Sequence, residues 1–153
     1  MARSYSVFAD NITLVSSATV PTAQIVATAA VRVKLYELMI GSPSTPADQA
    51  ATIAITRTSS ASTGGTAVTP SPVDIGDPAS LATAMVAPSM SAPTLVVKVL
   101  VFALNQRATF RWVAAPGKEI TTAASVTTNG SLIMISPTQT GALNSSFCLL
   151  FEE

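Results

Sequence analysis

Leu95-Val96-Val97-Lys98-Val99-Leu100-Val101-Phe102-Ala103-Leu104 is the longest apolar run in the chain, and its reading decides between a membrane and a sheet. A helix that spans a bilayer needs about 20 consecutive apolar residues. This run is too short, carries Lys98 in its middle, and is bounded by Pro93 and by Asn105-Gln106-Arg107. Its valines are β-branched and fit a pleated surface better than a helix. Read with period two, Leu95, Val97, Val99 and Val101 share one face, as in a half-buried strand.

The same period recurs outward from this run. In Val31-Arg32-Val33-Lys34-Leu35 the odd positions are apolar and the even ones cationic. The phase breaks at Tyr36-Glu37-Leu38-Met39-Ile40, which predicts a bulge or burial of both faces. Ala51 to Arg57 alternates again, and Phe110 and Trp112 point opposite to Arg111. Ser131-Leu132-Ile133-Met134-Ile135 and Phe147-Cys148-Leu149-Leu150-Phe151 are apolar on both faces, as central strands can be. Cys148 reads as a small core residue. Weaker strand signals lie near Tyr5–Phe8, Ile12–Val15 and Gln24–Ala29. The expected core is Ile53, Ile55, Val97, Val99, Val101, Phe110, Trp112, Ile133, Ile135, Phe147 and Leu149.

Turn chemistry separates these runs at 41–46, at Ala115-Pro116-Gly117-Lys118 and at Asn129-Gly130, a tight hairpin signal. One helix is expected over 78–86: Asp77 suits an N-cap, Pro78 the first helical position, and Ala79 to Val86 is alanine-rich. Leu81, Met85 and Ala82 would face the core. Eight or nine short strands with one short helix read as an all-β fold, an antiparallel β-sandwich of jelly-roll type. The chain reads as one domain over 1–153, with an N-terminal arm (1–20) and a long loop (58–76).

Only 10% of the 153 residues are charged while 48% are hydrophobic, and the net charge is zero. Ordinary soluble domains carry charge on about 25% of residues. Aromatics make up 5%, too few for the girdles of an outer-membrane barrel. The start, Met1 to Ser6, lacks the apolar segment of a secretion signal. The low charge therefore points to surfaces that pack against other protein, not to a membrane. Zero net charge without a basic stripe argues against nucleic acid.

Histidine is absent, which removes imidazole bases and His metal ligands and excludes Ser–His–Asp and Cys–His chemistry. Lys34 and Lys98 sit in strand patterns and read as solvated. Asp74-Ile75-Gly76-Asp77 lacks the oxygen density of a calcium loop and reads as a turn. Gly64-Gly65 is not followed by Lys-Ser or Lys-Thr, so it is no phosphate loop. No catalytic residue, cofactor or metal is expected, and the chain does not read as an enzyme. The loop 58–76 has almost no large apolar side chain, so it reads as mobile until it docks. The hydroxyls of Ser62, Thr63, Thr66 and Thr69 and the backbone at Gly64 and Gly65 suit hydrogen bonds to a partner. Pro70 and Pro72 limit the entropy lost on docking. With Tyr5 on the arm, these are the expected partner contacts. Deleting Ser59–Thr69 would then spare the fold and weaken attachment.

Several of these stretches together resemble a family of small proteins from the structural gene modules of tailed bacteriophages. The resemblance runs through Ile53-Ala54-Ile55-Thr56-Arg57, the loop Ser62 to Pro72 with its Ala-x-Thr-Pro-x-Pro ending, and Asp77-Pro78-Ala79. Ala2-Arg3-Ser4-Tyr5-Ser6-Val7, Phe110-Arg111-Trp112 with Pro116, and Leu149-Leu150-Phe151-Glu152-Glu153 are similar too. Thr58 follows Arg57 where the family usually carries glycine. The resemblance implies a virion protein, a decoration or cement protein on the outer capsid surface, made in the host cytoplasm. It implies the major capsid protein or other virion subunits as partners, and a homo-oligomer, a trimer in preference to a dimer. Two other roles fit a β-sandwich: a small jelly-roll coat subunit, and a carbohydrate- or receptor-binding module of a tail or fibre.

Overall fold

The computed structural model describes residues 2–43 and 45–153. Among the described residues the fold has twelve strands: β1 (Ser4–Thr13), β2 (Ala23–Val26), β3 (Lys34–Gly41), β4 (Ala50–Thr58), β5 (Thr66–Val68), β6 (Ser71–Pro72), β7 (Thr83–Val86), β8 (Leu95–Asn105), β9 (Phe110–Val113), β10 (Ile120–Thr121), β11 (Ser131–Gln139) and β12 (Asn144–Glu152). They form two antiparallel six-stranded sheets, a β-sandwich. Sheet I runs β10-β3-β12-β1-β6, with β9 beside β10 on the outer edge of β3; sheet II runs β5-β7-β2-β11-β4-β8. One core joins them. Val7, Leu38 and Leu149 from sheet I meet Ile25, Ile53 and Leu132 from sheet II, all buried.

Strand β12 shows how the pattern becomes packing. Ser145, Phe147, Leu149 and Phe151 are buried, and the residues between them are half-buried on the outer face. Cys148 is therefore not a core residue: period two turns it outward between its buried neighbours. Strand β11 is buried on both faces. Leu132 and Met134 enter the main core, while Ile133 and Ile135 build a second small cluster with Ala54 and Leu95. The phase break after Leu35 is a bulge at Tyr36, where the pairing with β12 skips a residue.

Further expectations are corrected. The segment 78–86 contains no helix; Thr83–Val86 is strand β7, hydrogen-bonded between β2 and β5. Ala82, Ala84 and Val86 are buried at every second position, so the alanines follow a sheet period, and two strand partners outweigh local helix propensity. Leu81 is exposed, and Asp77 pairs with Arg3 at 3.7 Å instead of capping a helix. Residues 4–13 are not an arm: β1 lies between β12 and β6 inside sheet I. Residues 58–76 are not one loose loop, because β5 and β6 lie within them.

Another correction concerns β8. Its pairing with β4 skips Val99 and Val96, two bulges that shift the phase. Each bulge adds one residue and turns the following side chains to the other face. Val101 is thereby 54% exposed and Val97 is also exposed, while Val99, Leu100, Phe102, Phe110 and Trp112 are half-buried against the core. The remaining expected core residues, Ile53, Ile55, Ile133, Ile135, Phe147 and Leu149, are buried. Asn129-Gly130 is a turn but not a hairpin, since β10 and β11 belong to different sheets. Asn129 has φ 55°, and a Cβ on Gly130 would stand 1.5 Å from the Ser125 carbonyl oxygen, so only glycine fits there.

Candidate interaction surface

The residues expected to meet a partner lie along one flank, where β5 and β6 end the two sheets. Ser62 is buried, and its N–H donates to Gln24 Oε1 at 3.0 Å. Gln24 Nε2 in turn donates to Ser131 Oγ at 3.2 Å, and Ser131 Oγ shares a short hydrogen bond with Thr58 Oγ1. This network ties the start of the 58–76 segment to three strands. Thr63 is exposed and clipped to Ser91: its N–H donates to Ser91 Oγ at 2.9 Å, and its carbonyl accepts from Ser91 N–H at 2.8 Å. Gly64 has φ +84°, and a Cβ there would stand 2.6 Å from the Ser89 carbonyl oxygen. A Cβ on Gly65 would stand 2.8 Å from Met90 Cγ and 2.9 Å from the Val86 carbonyl oxygen. The Gly-Gly pair therefore exists for close packing against 86–90.

Thr66 begins β5 opposite Val86 and is exposed, as is Thr69. Pro70 is buried, and Pro72 is half-buried in β6 opposite Tyr5. Tyr5 is buried, stacked on Phe151 with centroids 5.7 Å apart, and its hydroxyl donates to the Pro78 carbonyl at 3.1 Å. Burial and the nearby Glu153 carboxylate push the phenol above its ordinary pKa. Of the expected contacts, then, Thr63, Gly64, Thr66 and Thr69 are on the surface, and Ser62, Pro70 and Tyr5 are internal. The near-empty apolar content of 58–76 concealed this, because its order comes from hydrogen bonds and from neighbours distant in sequence. Asp74 closes its own turn, its Oδ1 accepting from Gly76 N–H at 2.8 Å.

Two apolar surfaces lie elsewhere. On the outer face of sheet I, register sets Phe8, Cys148, Met39 and Arg111 side by side across β1, β12, β3 and β9. Phe8 is 55% exposed. It borders an open depression of about 400 Å³ that also meets Met39, Cys148 and Thr109. Burial, and secondarily the Glu37 carboxylate, raises the pKa of the Cys148 thiol, which keeps it protonated at neutral pH. Arg111 Nε binds Glu37 Oε1 at 2.6 Å and bounds the patch on one side. The alternating pattern signalled strands here, but Phe8 as an outward aromatic was not singled out.

The second surface is the flank formed by β8 and β9. The Phe102 and Phe110 rings stack across the two sheets with centroids 3.8 Å apart and planes 11° apart. Beside them Val97 and Val101 are exposed on the free edge. Trp112 lies opposite Leu38 and packs inward, half-buried, which is the behaviour of a core-edge residue. No family model, curated protein or solved structure matches this chain.

Proposed function

We propose that this chain is a structural protein of a phage virion, a decoration or cement protein that binds the outer surface of the assembled head and stabilises it. The observation that carries the reading is the Phe8–Met39–Cys148 patch, an aromatic, a thioether and a thiol side by side on the outer face of sheet I. Fully covering such a side chain is worth about 1.5–3 kcal/mol. A chain with charge on only 10% of its residues also has little charged surface with which to hold neighbours away. Each copy would bury the patch across a junction between capsid subunits, which opposes their separation. Repetition over the shell makes modest individual contacts effective together. The partner is the major capsid protein, and the binding needs no nucleic acid, membrane or cofactor.

The experiment is co-sedimentation of the purified chain with heads of the phage that encodes it, together with a copy count per particle. Hundreds of copies per head are expected. Phe8→Asp is expected to abolish attachment while leaving the melting temperature within a few degrees, because Phe8 faces outward. Attachment unchanged by Phe8→Asp would overturn the patch as the docking surface. A handful of copies per particle would favour the tail or fibre role.

A further inference from the structure

The geometry points to a second copy of this chain as the occupant of the β8 edge, paired antiparallel across a two-fold axis. This inference stands apart from the capsid reading and rests on the edge alone. The sandwich has four edges, and three are blunted: β5 has three residues, β6 two, and the edge of β3 is covered by β9 with four and β10 with two. Short edge strands are a common protection against unwanted pairing. β8 is the exception, with 11 residues and valines on its exposed side.

The direction of its free backbone groups follows from two hydrogen bonds. Gln106 N–H donates to the Gln49 carbonyl at 2.8 Å, and Thr140 N–H donates to the Ala50 carbonyl at 3.1 Å. Peptide groups alternate sides along a strand. Ala51, Ile53 and Ile55 therefore turn theirs toward Leu104, Phe102 and Leu100, their partners in β8. The N–H and C=O groups of Val101 and Ala103 point the other way, to the free edge, where sheet II has no further strand among the described residues. The Asn105 carbonyl accepts from Ala108 N–H at 2.9 Å, and this turn ends the edge.

One register uses all of these free groups. With Val101 opposite Ala103 of the second copy, and Ala103 opposite its Val101, each pair exchanges two N–H···O=C bonds. The charges agree with this register. The bulge at Val99 turns Val99 and Leu100 toward the core and leaves Lys98 exposed on the same side as Val101. Lys98 then lies beside Asn105 of the second copy, whose Nδ2 donates to Asp48 Oδ1 at 2.9 Å. Among the described residues, Lys98 and Asp48 take part in no ion pair within their own chain. The two-fold axis supplies the missing partner to both, twice. A register with Val101 opposite Val101 would set Lys98 near Ala103 and leave Asp48 unmatched. One with Ala103 opposite Ala103 would set Val101 against Asn105, whose carbonyl is already taken. A lysine on an edge ordinarily guards it; here it selects one register. Such an interface uses the same strand on both sides and closes at two copies, not three.

Sedimentation of the purified full chain at tens of micromolar tests this. Wild type is expected to be a dimer. Lys98→Asp sets a carboxylate beside Asp48 of the second copy and is expected to weaken dimerisation at least roughly tenfold. The double variant Asp48→Lys with Lys98→Asp is expected to restore it. Ala103→Pro removes an N–H that the monomer does not use and is expected to give a folded monomer by circular dichroism. A wild-type monomer, a Lys98→Asp dimer of unchanged affinity, or a double variant as weak as the single would each overturn the inference.

Discussion

At the flank where β5 and β6 meet, the chain passes from sheet II to sheet I through Thr69-Pro70 alone, and Pro70 is buried. Tyr5 fills the space beneath, and Glu153 reaches back to accept from the N–H groups of Leu81 and Ala82 at 2.9 and 3.1 Å. At the opposite flank the crossing from β8 to β9 is also short, but Leu100, Phe102, Phe110 and Trp112 stay half-exposed beside an 11-residue edge. The first flank is sealed by small polar residues that hydrogen-bond at close range. The second is rich in apolar side chains and poorly covered. In this molecule a hydroxyl- and glycine-rich segment completes the fold, and the more hydrophobic segment is left partly open. Apolar content by itself does not tell which surface is internal.

The largest test of that contrast is deletion of Ser59–Thr69. It removes β5, the Ser62–Gln24 bond and the clip to Ser91, so the variant is expected to be unfolded or to melt more than about 10 °C lower. A thermal melt matching wild type would show that the flank is not sealed by this segment. Next comes Tyr5→Ala, which empties a buried aromatic site and is expected to cost about 3–5 kcal/mol in denaturant unfolding. Trp112→Ala on the open flank should cost less, about 1–3 kcal/mol, because the side chain is only half-buried. Equal losses for the two aromatics would erase the distinction between the flanks.

The smallest effect separates them by pH. The Tyr5 phenol is held above its ordinary pKa of 10.0 in the folded state. Its contribution is fully present below the unfolded value and is lost as pH rises through the folded one, since the unfolded chain releases the proton first. Stability measured from pH 9 to 11 should therefore fall more steeply for wild type than for Tyr5→Phe. Parallel curves would show that the closed flank does not sense Tyr5 ionisation.

Much of the sandwich was legible in residue periods. Val33, Leu35, Ile53, Ile55, Phe147 and Leu149 alternate or cluster in sequence as they do in the core, because a strand facing a hydrophobic layer repeats every two residues. The bulge near Tyr36 was visible because it broke that repeat. The bulges at Val99 and Val96 were not, because a run of valines and leucines looks the same in either phase. The candidate surfaces were less legible still. Thr63 and Thr66 are exposed, but Ser62 and Tyr5, grouped with them as partner contacts, are held inside by Gln24, Phe151 and Pro78, residues far away along the chain.

Sequence alone determined the class of the fold and most of its central strands, since those rest on local alternation and turn chemistry. Tertiary structure decided the rest. It made a strand of the alanine-rich 83–86 by giving it two partners, drew the polar segment 58–76 into both sheets, and flipped Val101 outward through one extra residue. In each case the deciding energy is a hydrogen bond or contact between residues distant in sequence, and no local pattern encodes which distant strand will be alongside.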